Sequence, residues 1–343
     1  MKKYLLLSAW ITISVLLFSC SKSRKLSQVP VFSKGADIGW LQQMEATGYK
    51  FYDADGTEKN CLQLLKDRGM NSIRLRVWVN PSSDRINGHC SKEETVAMAV
   101  RAQQLGMRVM INFHYSDSWA DPGKQNKPAA WANHSFTQLL DDVYNHTFDV
   151  LQSLQTAGVT PEWVQIGNEI PSGMLWPDGH TNQFSQLAQL LNKGYEATKR
   201  INPAIKVVLH IDQGNDNGRF RWFFDQVTTY GVKYDVIGAS YYPYWINSDY
   251  TATIENLKMN LNDMVSRYKK EVMVVEVGGD HTLVQNTYDM LSAVIKIVRE
   301  IPDNKGLGVM YWEPEGEKSW SGYQLSCWQA DGKPSPALDA FKN

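Results

Sequence analysis

Short apolar runs alternate with longer amphipathic stretches along most of the chain. Apolar runs of about four to eight residues, rich in β-branched side chains and bounded by Gly or Pro, predict buried strands. Eight such runs occur, at Ala36–Trp40, Ser72–Val79, Arg108–His114, Trp163–Glu169, Lys206–Ile211, Val236–Tyr242, Val272–Val277 and Leu307–Trp312. Helical periodicity lies between them, in Cys61–Arg68, Glu93–Leu105, Phe136–Ala157, Phe184–Arg200, Ile254–Tyr268 and Gln285–Val298. Gly69, Gly106 and Gly158 follow the first helices, where left-handed caps are expected.

The order of these elements predicts one α/β domain. No low-complexity linker or change of composition interrupts the chain from about Gly35 to Phe341. Eight β/α repeats over that length are typical of a (β/α)₈ TIM barrel. A doubly wound open sheet is the alternative, but no Gly-rich phosphate loop follows the first predicted strand.

The amino terminus has the pattern of an export signal. Two lysines precede an apolar run that is too short for an ordinary membrane-spanning helix, and we assign residues 1–19 to a signal peptide. Its end, Leu17-Phe18-Ser19-Cys20, resembles a bacterial lipobox, which predicts lipidation of Cys20; a plain secretory signal is the alternative. Residues 20–33 then form the lipidated terminus and a polar tether. Residues 34–343 form the predicted (β/α)₈ domain. We expect contact with a membrane only through this anchor.

Composition narrows the classes of partner. The chain has 35 basic and 36 acidic residues, so nothing favours binding to nucleic acid. Its 12 Trp and 16 Tyr fit either a generous core or a carbohydrate cleft. Three cysteines remain in the predicted domain, Cys61, Cys90 and Cys327, and no spacing among them resembles a zinc site. We expect no metal ligation by these thiols, and one disulfide among them stays open.

Two glutamates stand at strand ends. Glu169 ends the fourth predicted strand and Glu276 lies at the end of the seventh, and a parallel barrel carries its chemistry at the carboxyl ends of its strands. Retaining glycosidases use two carboxyls about 5 Å apart, one as acid and base and one as nucleophile. On this interpretation Glu169 needs a raised pKa, whereas Glu276 needs a cationic or hydrogen-bonding neighbour. The alternative is that each glutamate caps a helix or joins a salt bridge.

The second predicted strand places two arginines on one face. Strand alternation sends Arg74, Arg76 and Trp78 to the same side, and arginines inside a barrel need partners. We expect the arginines to pair with a carboxylate at the mouth of the barrel, and such a pair would keep Glu276 ionised. The alternative is an ion pair with Asp37 at the barrel floor.

Polar and aromatic residues follow three further strands. His114, Asp117, Trp119 and Asp121 follow the third and predict substrate contacts, although a lone His is often structural. Ser-His-Asp catalysis is set aside because no Gly-x-Ser-x-Gly elbow exists.

The sixth and eighth predicted strands end in aromatic residues. Tyr242 shares a face with Ser240 and is placed to hydrogen-bond the nucleophile, while Tyr241 belongs to the core. Trp245 and Trp312 are further candidates for substrate binding. Glu313 and Glu315 are treated as loop residues.

Long motifs carry a family resemblance that covers nearly the whole predicted domain. They are GADIGWL, LKDRGMNSIRLRVWVNP, NFHYSDSWADPGKQNKPAAW, VQIGNEIPSGMLWPDG, LHIDQGND, DVIGASYYPYW and VVEVGG. Together they resemble glycoside hydrolase family 53, the endo-β-1,4-galactanases of a large (β/α)₈ clan of retaining enzymes. The resemblance implies that Glu169 is the acid/base and Glu276 the nucleophile, and that Asn168 holds the sugar's 2-hydroxyl. It also places His210, in LHIDQGND, among the substrate-binding residues, and implies β-1,4-galactan of type I arabinogalactan and pectin as the partner.

The chain departs from the family pattern at two points. Asn112 stands where the family usually has Asp, which we expect to change a hydrogen bond rather than the chemistry. Bacterial members often carry a long calcium-associated loop after the eighth strand, whereas here only Glu313 to Gln329 precede the last predicted helix. We therefore expect no metal cofactor, a more open cleft and a different distribution of product lengths.

The leading hypothesis is a retaining endo-β-1,4-galactanase, monomeric and lipid-anchored on the outer face of the cell envelope. Another β-1,4-glycanase of the same clan, such as a mannanase or a glucanase, would carry similar acids and arginines. A non-catalytic glycan-binding lipoprotein is the alternative from another class. That alternative requires a lost acid, and both Glu169 and Glu276 are present.

Overall fold

Eight parallel strands close into a barrel in the computed structural model, which describes residues 31–343. The strands are β1 (Ser33–Asp37), β2 (Ser72–Val77), β3 (Arg108–Phe113), β4 (Trp163–Ile166), β5 (Lys206–Ile211), β6 (Val236–Tyr241), β7 (Glu271–Val277) and β8 (Gly306–Tyr311). Each pairs with its neighbours in sequence, and β8 closes the barrel against β1. The predicted TIM barrel is confirmed. The predicted signal peptide and Cys20 lie outside the described residues.

Helices cover the outside of the barrel. They are α1 (Leu41–Ala46), α2 (Cys61–Asp67), α3 (Lys92–Gln104), α4 (Phe136–Thr156), α5 (Phe184–Ile201), α6 (Asn217–Thr229), α7 (Tyr250–Tyr268), α8 (Val284–Arg299) and α9 (Lys318–Ser321). Short 3₁₀ helices span Ala129–Trp131, Thr181–Gln183, Pro243–Ile246, Pro302–Asn304 and Pro336–Lys342. Capping boxes define where two long helices begin, with Ser91 and Glu94 at α3 and Ser135 and Gln138 at α4.

Helix α6 is not among the helices predicted from the sequence. The side chain of Asp216 caps it by accepting a hydrogen bond from the backbone N–H of Arg219. Its inner face is a stripe of four buried side chains at helical spacing, Phe220, Phe223, Phe224 and Val227. This helix completes the β/α alternation after β5.

Several elements differ from the predicted ones, and three of the differences bear on the domain or the site. β1 begins at Ser33 rather than Ala36, and so takes in the last residue assigned to the tether. The chain after β8 ends in a 3₁₀ helix, Pro336–Lys342, rather than an α-helix. β4 ends at Ile166, so Asn168 and Glu169 stand in a turn beyond the strand.

The turn after β4 has a left-handed backbone at two positions. Gly167 has φ +78° and Glu169 has φ +43°. A non-glycine residue in this region is uncommon and costs on the order of 1 kcal/mol or more. The cost at Glu169 is local strain at the residue that presents a carboxyl group to the barrel mouth.

The barrel interior is apolar below and polar above. Eight buried side chains, drawn mostly from the first halves of the strands, form a separate apolar cluster: Met110, Trp163, Val208, Val236, Met273, Val275, Leu307 and Met310. Arg74, Gln165 and Asp37 are also almost completely buried, and they pair with one another. The polar groups of the site therefore rest on a packed floor.

Three cysteines lie among the described residues. The thiols of Cys61, Cys90 and Cys327 are buried and free, so the possible disulfide is not formed. Within residues 31–343 no helix is long and apolar enough to cross a membrane.

Candidate active site

Glu169 and Glu276 face one cavity at the carboxyl ends of the strands. The cavity has a volume of about 230 Å³. Nine of the predicted site residues line it: His114, Trp119, Asp121, Asn168, Glu169, Tyr242, Trp245, Glu276 and Trp312. The barrel thus brings together residues that are up to about two hundred positions apart in sequence, as expected for chemistry at strand ends.

Glu276 is held by a cation and a phenol. Arg74 Nη1 donates to Glu276 Oε1 at 2.9 Å, and Tyr242 Oη donates to Oε2 at 3.1 Å. The same Arg74 nitrogen lies 2.9 Å from Asp37 Oδ1. Arg74 therefore contacts both Glu276 and Asp37, the two carboxylates that the sequence offers as its partners. Burial raises the pKa of Glu276, and Arg74 and Tyr242 oppose that rise by favouring the ionised form.

Glu169 is in a different electrostatic setting. Burial first, and then the negative charge of Glu276, raise the pKa of Glu169 well above its usual range. Ser240 Oγ donates to Glu169 Oε1 at 2.6 Å and is a weaker, opposing influence on that pKa. The shift is larger than the one at Glu276, so Glu169 is the carboxyl that keeps its proton when one of the two is ionised.

His210 supports this arrangement from behind. It is completely buried, and its Nε2 lies 2.7 Å from Ser240 Oγ. Burial lowers the pKa of His210 well below its usual value, so the ring is neutral. Because Ser240 donates its proton to Glu169, the His210 proton belongs on Nε2, where it is donated to Ser240 Oγ. His210 therefore acts on Glu169 through Ser240 and does not line the cavity.

Asn168 is fixed by a network of buried side chains. Its Oδ1 accepts from Arg74 Nη2 at 2.9 Å and from Asn112 Nδ2 at 3.1 Å, and its Nδ2 donates to the carbonyl of Ala120 at 2.9 Å. One amide hydrogen of Asn168 remains for a ligand in the cavity. Asn112 thus supplies a donor at the position where the family usually has an acid.

His114 lies in the cavity wall, and both of its ring nitrogens have partners in the protein. Its Nδ1 accepts from the backbone N–H of Ala120 at 3.1 Å, and its Nε2 lies 3.1 Å from Asn112 Nδ2. Burial, followed by the charges of Arg76 and Arg74, lowers the pKa of His114 well below its usual value, so the ring is neutral.

Arg76 contacts neither Glu276 nor Asp37; the carboxylate that it meets at the mouth is that of Glu313. The two form a buried ion pair, and the carboxylate also accepts from the backbone N–H groups of Gly39 and Trp40. Glu313 and Glu315 are loop residues, but both side chains are completely buried, which the sequence does not indicate. Burial at a loop position leaves no periodic signal in the sequence.

The cavity wall on this side is aromatic. Trp119 and Trp312 line it with ring centroids 5.7 Å apart, and Trp40 packs behind them. Tyr323 also lines it, with its ring centroid 4.8 Å from that of Trp312. Tyr323 is not predicted as a site residue from the sequence, because it follows β8 by twelve residues in an irregular connection.

The loop acids have different surroundings. Asp121 lines the cavity and accepts from the backbone N–H of Gly123. Asp117 accepts from the backbone N–H groups of Asn80 and Ala129, so its two oxygens brace loops rather than face the cavity.

A second cavity adjoins the first on the Glu169 side. It has a volume of about 250 Å³ and shares Glu169, Tyr242 and Trp245 with the first cavity. Its other polar groups belong to Asp212, Gln213 and Asn215, which follow β5, and to Ser240 on β6. The indole of Trp245 is 57% exposed and borders both spaces.

Two acids of the connection after β8 are bound within the protein. In the part of the chain that the structure describes, no three Asp, Glu, His or Cys side chains converge as metal ligands would. Glu313 is paired with Arg76, and Glu317 accepts from the backbone N–H groups of Ser319 and Trp320 at the start of α9. These acids are committed to the protein itself.

Comparison with known proteins identifies the family of the chain. The model of Glycosyl hydrolase family 53 matches residues 33–341. An arabinogalactan endo-β-1,4-galactanase of Humicola insolens is 34% identical over 304 residues, which cover 82% of this chain and 89% of that protein. An uncharacterized protein of Niallia circulans is 36% identical over 324 residues, with 84% and 86% covered.

Solved structures give the same result. The catalytic domain of a family 53 enzyme of Ignisphaera aggregans superposes with a TM-score of 0.84 at 32% identity, covering 91% of this chain and 95% of that one. A fungal β-1,4-galactanase superposes with a TM-score of 0.82 at 30% identity, with 91% and 99% covered. The family model spans the whole barrel and the relatives share its length, so this chain belongs to glycosyl hydrolase family 53.

Proposed function

We propose that this enzyme cleaves internal β-1,4-galactosidic bonds of galactan with retention of configuration, with Glu169 as general acid and base and Glu276 as nucleophile. The observation that carries the proposal is the unequal environment of the two carboxyls in one cavity. Arg74 and Tyr242 contact Glu276, whereas burial and the charge of Glu276 raise the pKa of Glu169.

The first half of the reaction follows from those environments. A sugar in the cavity presents its anomeric carbon to Glu276, and the carboxylate forms a bond to that carbon. Glu169 gives its proton to the bridging oxygen as the bond to the leaving sugar breaks. The product of this step is a glycosyl-enzyme ester on Glu276, and Glu169 is now ionised.

The second half regenerates the enzyme. The charge on Glu276 is gone once the ester forms, and the pKa of Glu169 falls with it, since that charge was one cause of its elevation. Glu169 then accepts a proton from a water molecule, whose oxygen attacks the anomeric carbon and releases Glu276. Two inversions at one carbon give net retention.

Asn168 is proposed to hold the 2-hydroxyl of the sugar that reacts. Its Oδ1 is fixed by Arg74 and Asn112, its Nδ2 makes one hydrogen bond within the protein, and the residue lines the cavity. Hydrogen bonds to this hydroxyl strengthen in the transition state of glycosidases, so a fixed donor contributes to rate rather than only to binding.

The substrate and the endo mode rest on the relatives and on the cavities. Relatives at 32–34% identity are named arabinogalactan endo-β-1,4-galactanases. Cavities on both sides of Glu169 give room for sugars on each side of the cleaved bond. We therefore propose galactan of type I arabinogalactan and pectin as the substrate. Both acids and their supports are in place, so a role restricted to glycan binding is not favoured.

Attachment through lipidated Cys20, with the enzyme exposed at the outer face of the cell envelope, is part of the proposal. It rests on the lipobox-like sequence and on the size of the polymer, which is too large to import intact. Labelling with a lipid precursor would detect the modification, and Cys20→Ala should abolish it. Protease treatment of intact cells should remove the enzyme if it faces outward; protection in intact cells would contradict this orientation.

The activity is tested with a panel of linear β-1,4-linked galactan, mannan, glucan and xylan. Early release of mixed oligosaccharides from galactan alone, with the β-anomer formed first in ¹H NMR spectra, is the expected result. Glu276→Ala is the matched control, which should bind galactan and release nothing. Faster cleavage of another polymer, or an α-anomer as the first product, would contradict the proposal.

A further inference from the structure

The second cavity contains an ion pair that the reaction above does not use. Asp212 directly follows β5 and is 8% exposed. Arg219 holds it with two parallel bonds, Nε to Oδ1 at 2.8 Å and Nη2 to Oδ2 at 2.9 Å. This is the geometry that fixes a carboxylate most firmly in both position and orientation.

The carboxylate retains capacity for further hydrogen bonds. Each oxygen of an ionised carboxylate can accept about two hydrogen bonds, and Arg219 uses one on each. The remaining contact in the protein, from Gln213 Nε2 to Oδ2, is long at 3.4 Å. Asp212 lines the second cavity, so this capacity is directed at whatever occupies that space.

The position of Glu169 identifies that occupant. A general acid reaches the oxygen that joins two sugars, and Glu169 lies in the wall shared by both cavities. The sugar that bonds to Glu276 occupies the cavity containing Glu276. The sugar that leaves must then lie across Glu169, in the cavity containing Asp212.

We infer that Asp212, held by Arg219, accepts hydrogen bonds from hydroxyls of the leaving-group galactosyl residue, while the exposed indole of Trp245 packs against its ring. Asp212 is thus a specificity-determining residue for the sugar released in the first step. This inference rests on the proposed function, because it needs the roles given to Glu169 and Glu276.

Asp212 has a second influence, which must be separated from recognition. Its negative charge is one of the causes that raise the pKa of Glu169. Loss of that charge would change proton transfer to every leaving group that needs a proton from Glu169, with or without sugar hydroxyls. Loss of recognition would affect only a leaving group that carries hydroxyls.

Two substrates with the same sugars at the reacting end separate these effects. One is galactan, whose leaving group is a galactosyl chain. The other is methyl β-1,4-galactobioside, whose leaving group is methanol, which needs a proton from Glu169 as a sugar does but carries no sugar hydroxyls. Asp212→Asn should lower kcat/KM on galactan by about tenfold or more, as expected for a lost hydrogen bond to a charged group. On the methyl glycoside it should change kcat/KM by less than about threefold.

The ratio of the two kcat/KM values is the decisive readout, because it does not depend on the fraction of enzyme that is folded. Arg219→Lys keeps a positive charge but loses the paired geometry, and should lower the same ratio by a smaller factor. Equal losses on both substrates, or an unchanged ratio in both variants, would overturn the inference.

Asp225→Asn is the matched control. Asp225 forms the same two-bond pair with Arg267, at 2.9 and 2.8 Å, on the exposed surface of α6 and α7. Its removal should leave the ratio unchanged, and an equal fall in this control would also overturn the inference. If the wild-type enzyme cleaves neither substrate, the proposed function fails. If the wild-type enzyme cleaves both and Asp212→Asn leaves the ratio unchanged, the proposed function stands and only the role of Asp212 is refuted.

Discussion

The guanidinium of Arg76 and the carboxylate of Glu313 form an ion pair beneath the aromatic wall of the active site. The Arg76 guanidinium carbon lies 4.4 Å from the ring centroid of Trp119, and Glu313 follows Trp312 directly in sequence. Both tryptophans line the cavity. The pair therefore supports, from behind, the surface against which a sugar would stack.

Two buried glutamates near this pair should respond differently to the same substitution. Glu313 accepts from Arg76 and from two backbone N–H groups, whereas no hydrogen-bond donor contacts either oxygen of Glu315. Burial, followed by the charge of Glu313, raises the pKa of Glu315 well above its usual range, so Glu315 is protonated and neutral. Glu313→Gln should lower the free energy of unfolding by about 3–5 kcal/mol, since it leaves Arg76 buried without a counter-charge.

Glu315→Gln is the matched comparison, because glutamine resembles a protonated glutamate in size and charge. It should change the free energy of unfolding by less than about 1 kcal/mol near pH 5. Urea unfolding of both variants, together with kcat/KM on galactan, measures the difference. Similar losses of stability in the two variants would show that the two carboxyls have the same protonation state.

Glu315 also predicts how stability depends on pH. Its pKa in the folded state is raised, so the unfolded chain loses this proton at lower pH than the folded chain does. The contribution of Glu315 to stability therefore falls as pH rises above the ordinary glutamate pKa of about 4.5 toward the raised value. Glu315→Gln should remove this fall, and its stability relative to the wild type should increase between pH 5 and 8. Parallel stability curves for the two proteins over that range would contradict the prediction.

Arg74 predicts the acid side of the pH–activity profile. It is the cation that favours the ionised form of Glu276, so its loss should raise the pKa of that nucleophile. Arg74→Lys should lower kcat/KM by about a hundredfold or more and move the acid limb to higher pH. Tyr242→Phe removes one hydrogen bond from the same carboxylate and should move the limb less, in the same direction. An acid limb that stays in place in both variants would assign it to another group.

Much of this site follows from strand pattern alone, and the rest depends on contacts between distant loops. Glu276 and Tyr242 stand at ends of strongly apolar runs, so alternation and strand order are enough to bring them to one mouth. Glu313 and Tyr323 lie in an irregular connection, where no periodic pattern indicates which side chains are buried. Asp212, in the motif LHIDQGND, is not predicted as a site residue. A single acid at a strand end shows no partner in the sequence, and only the fold brings Arg219 of α6 into contact with it.

Ser240 predicts the basic side of the profile. It donates to Glu169 and so stabilises the ionised form of that acid. Ser240→Ala should raise the pKa of Glu169 and move the basic limb of kcat/KM to higher pH, whereas Asp212→Asn removes a negative charge and should move it to lower pH. Opposite movements in the two variants, measured on the methyl glycoside, would identify Glu169 as the group that titrates. Movement of both limbs in the same direction would contradict that identification.

The short connection after β8 predicts how many sugars the cleft engages. Residues 313–329 place Tyr323 in the cavity wall. Of the three acids among them, Glu313 is bound to Arg76, Glu317 is bound to the start of α9, and Glu315 is completely buried. Few groups are left to contact sugars far from the cleaved bond. On galacto-oligosaccharides of increasing length, kcat/KM should therefore stop rising at a shorter chain than in a relative with a long loop. EDTA should leave both activity and the thermal unfolding midpoint unchanged. A tightly bound calcium ion in the purified enzyme, or a chain-length dependence identical to that of a long-loop relative, would contradict the prediction.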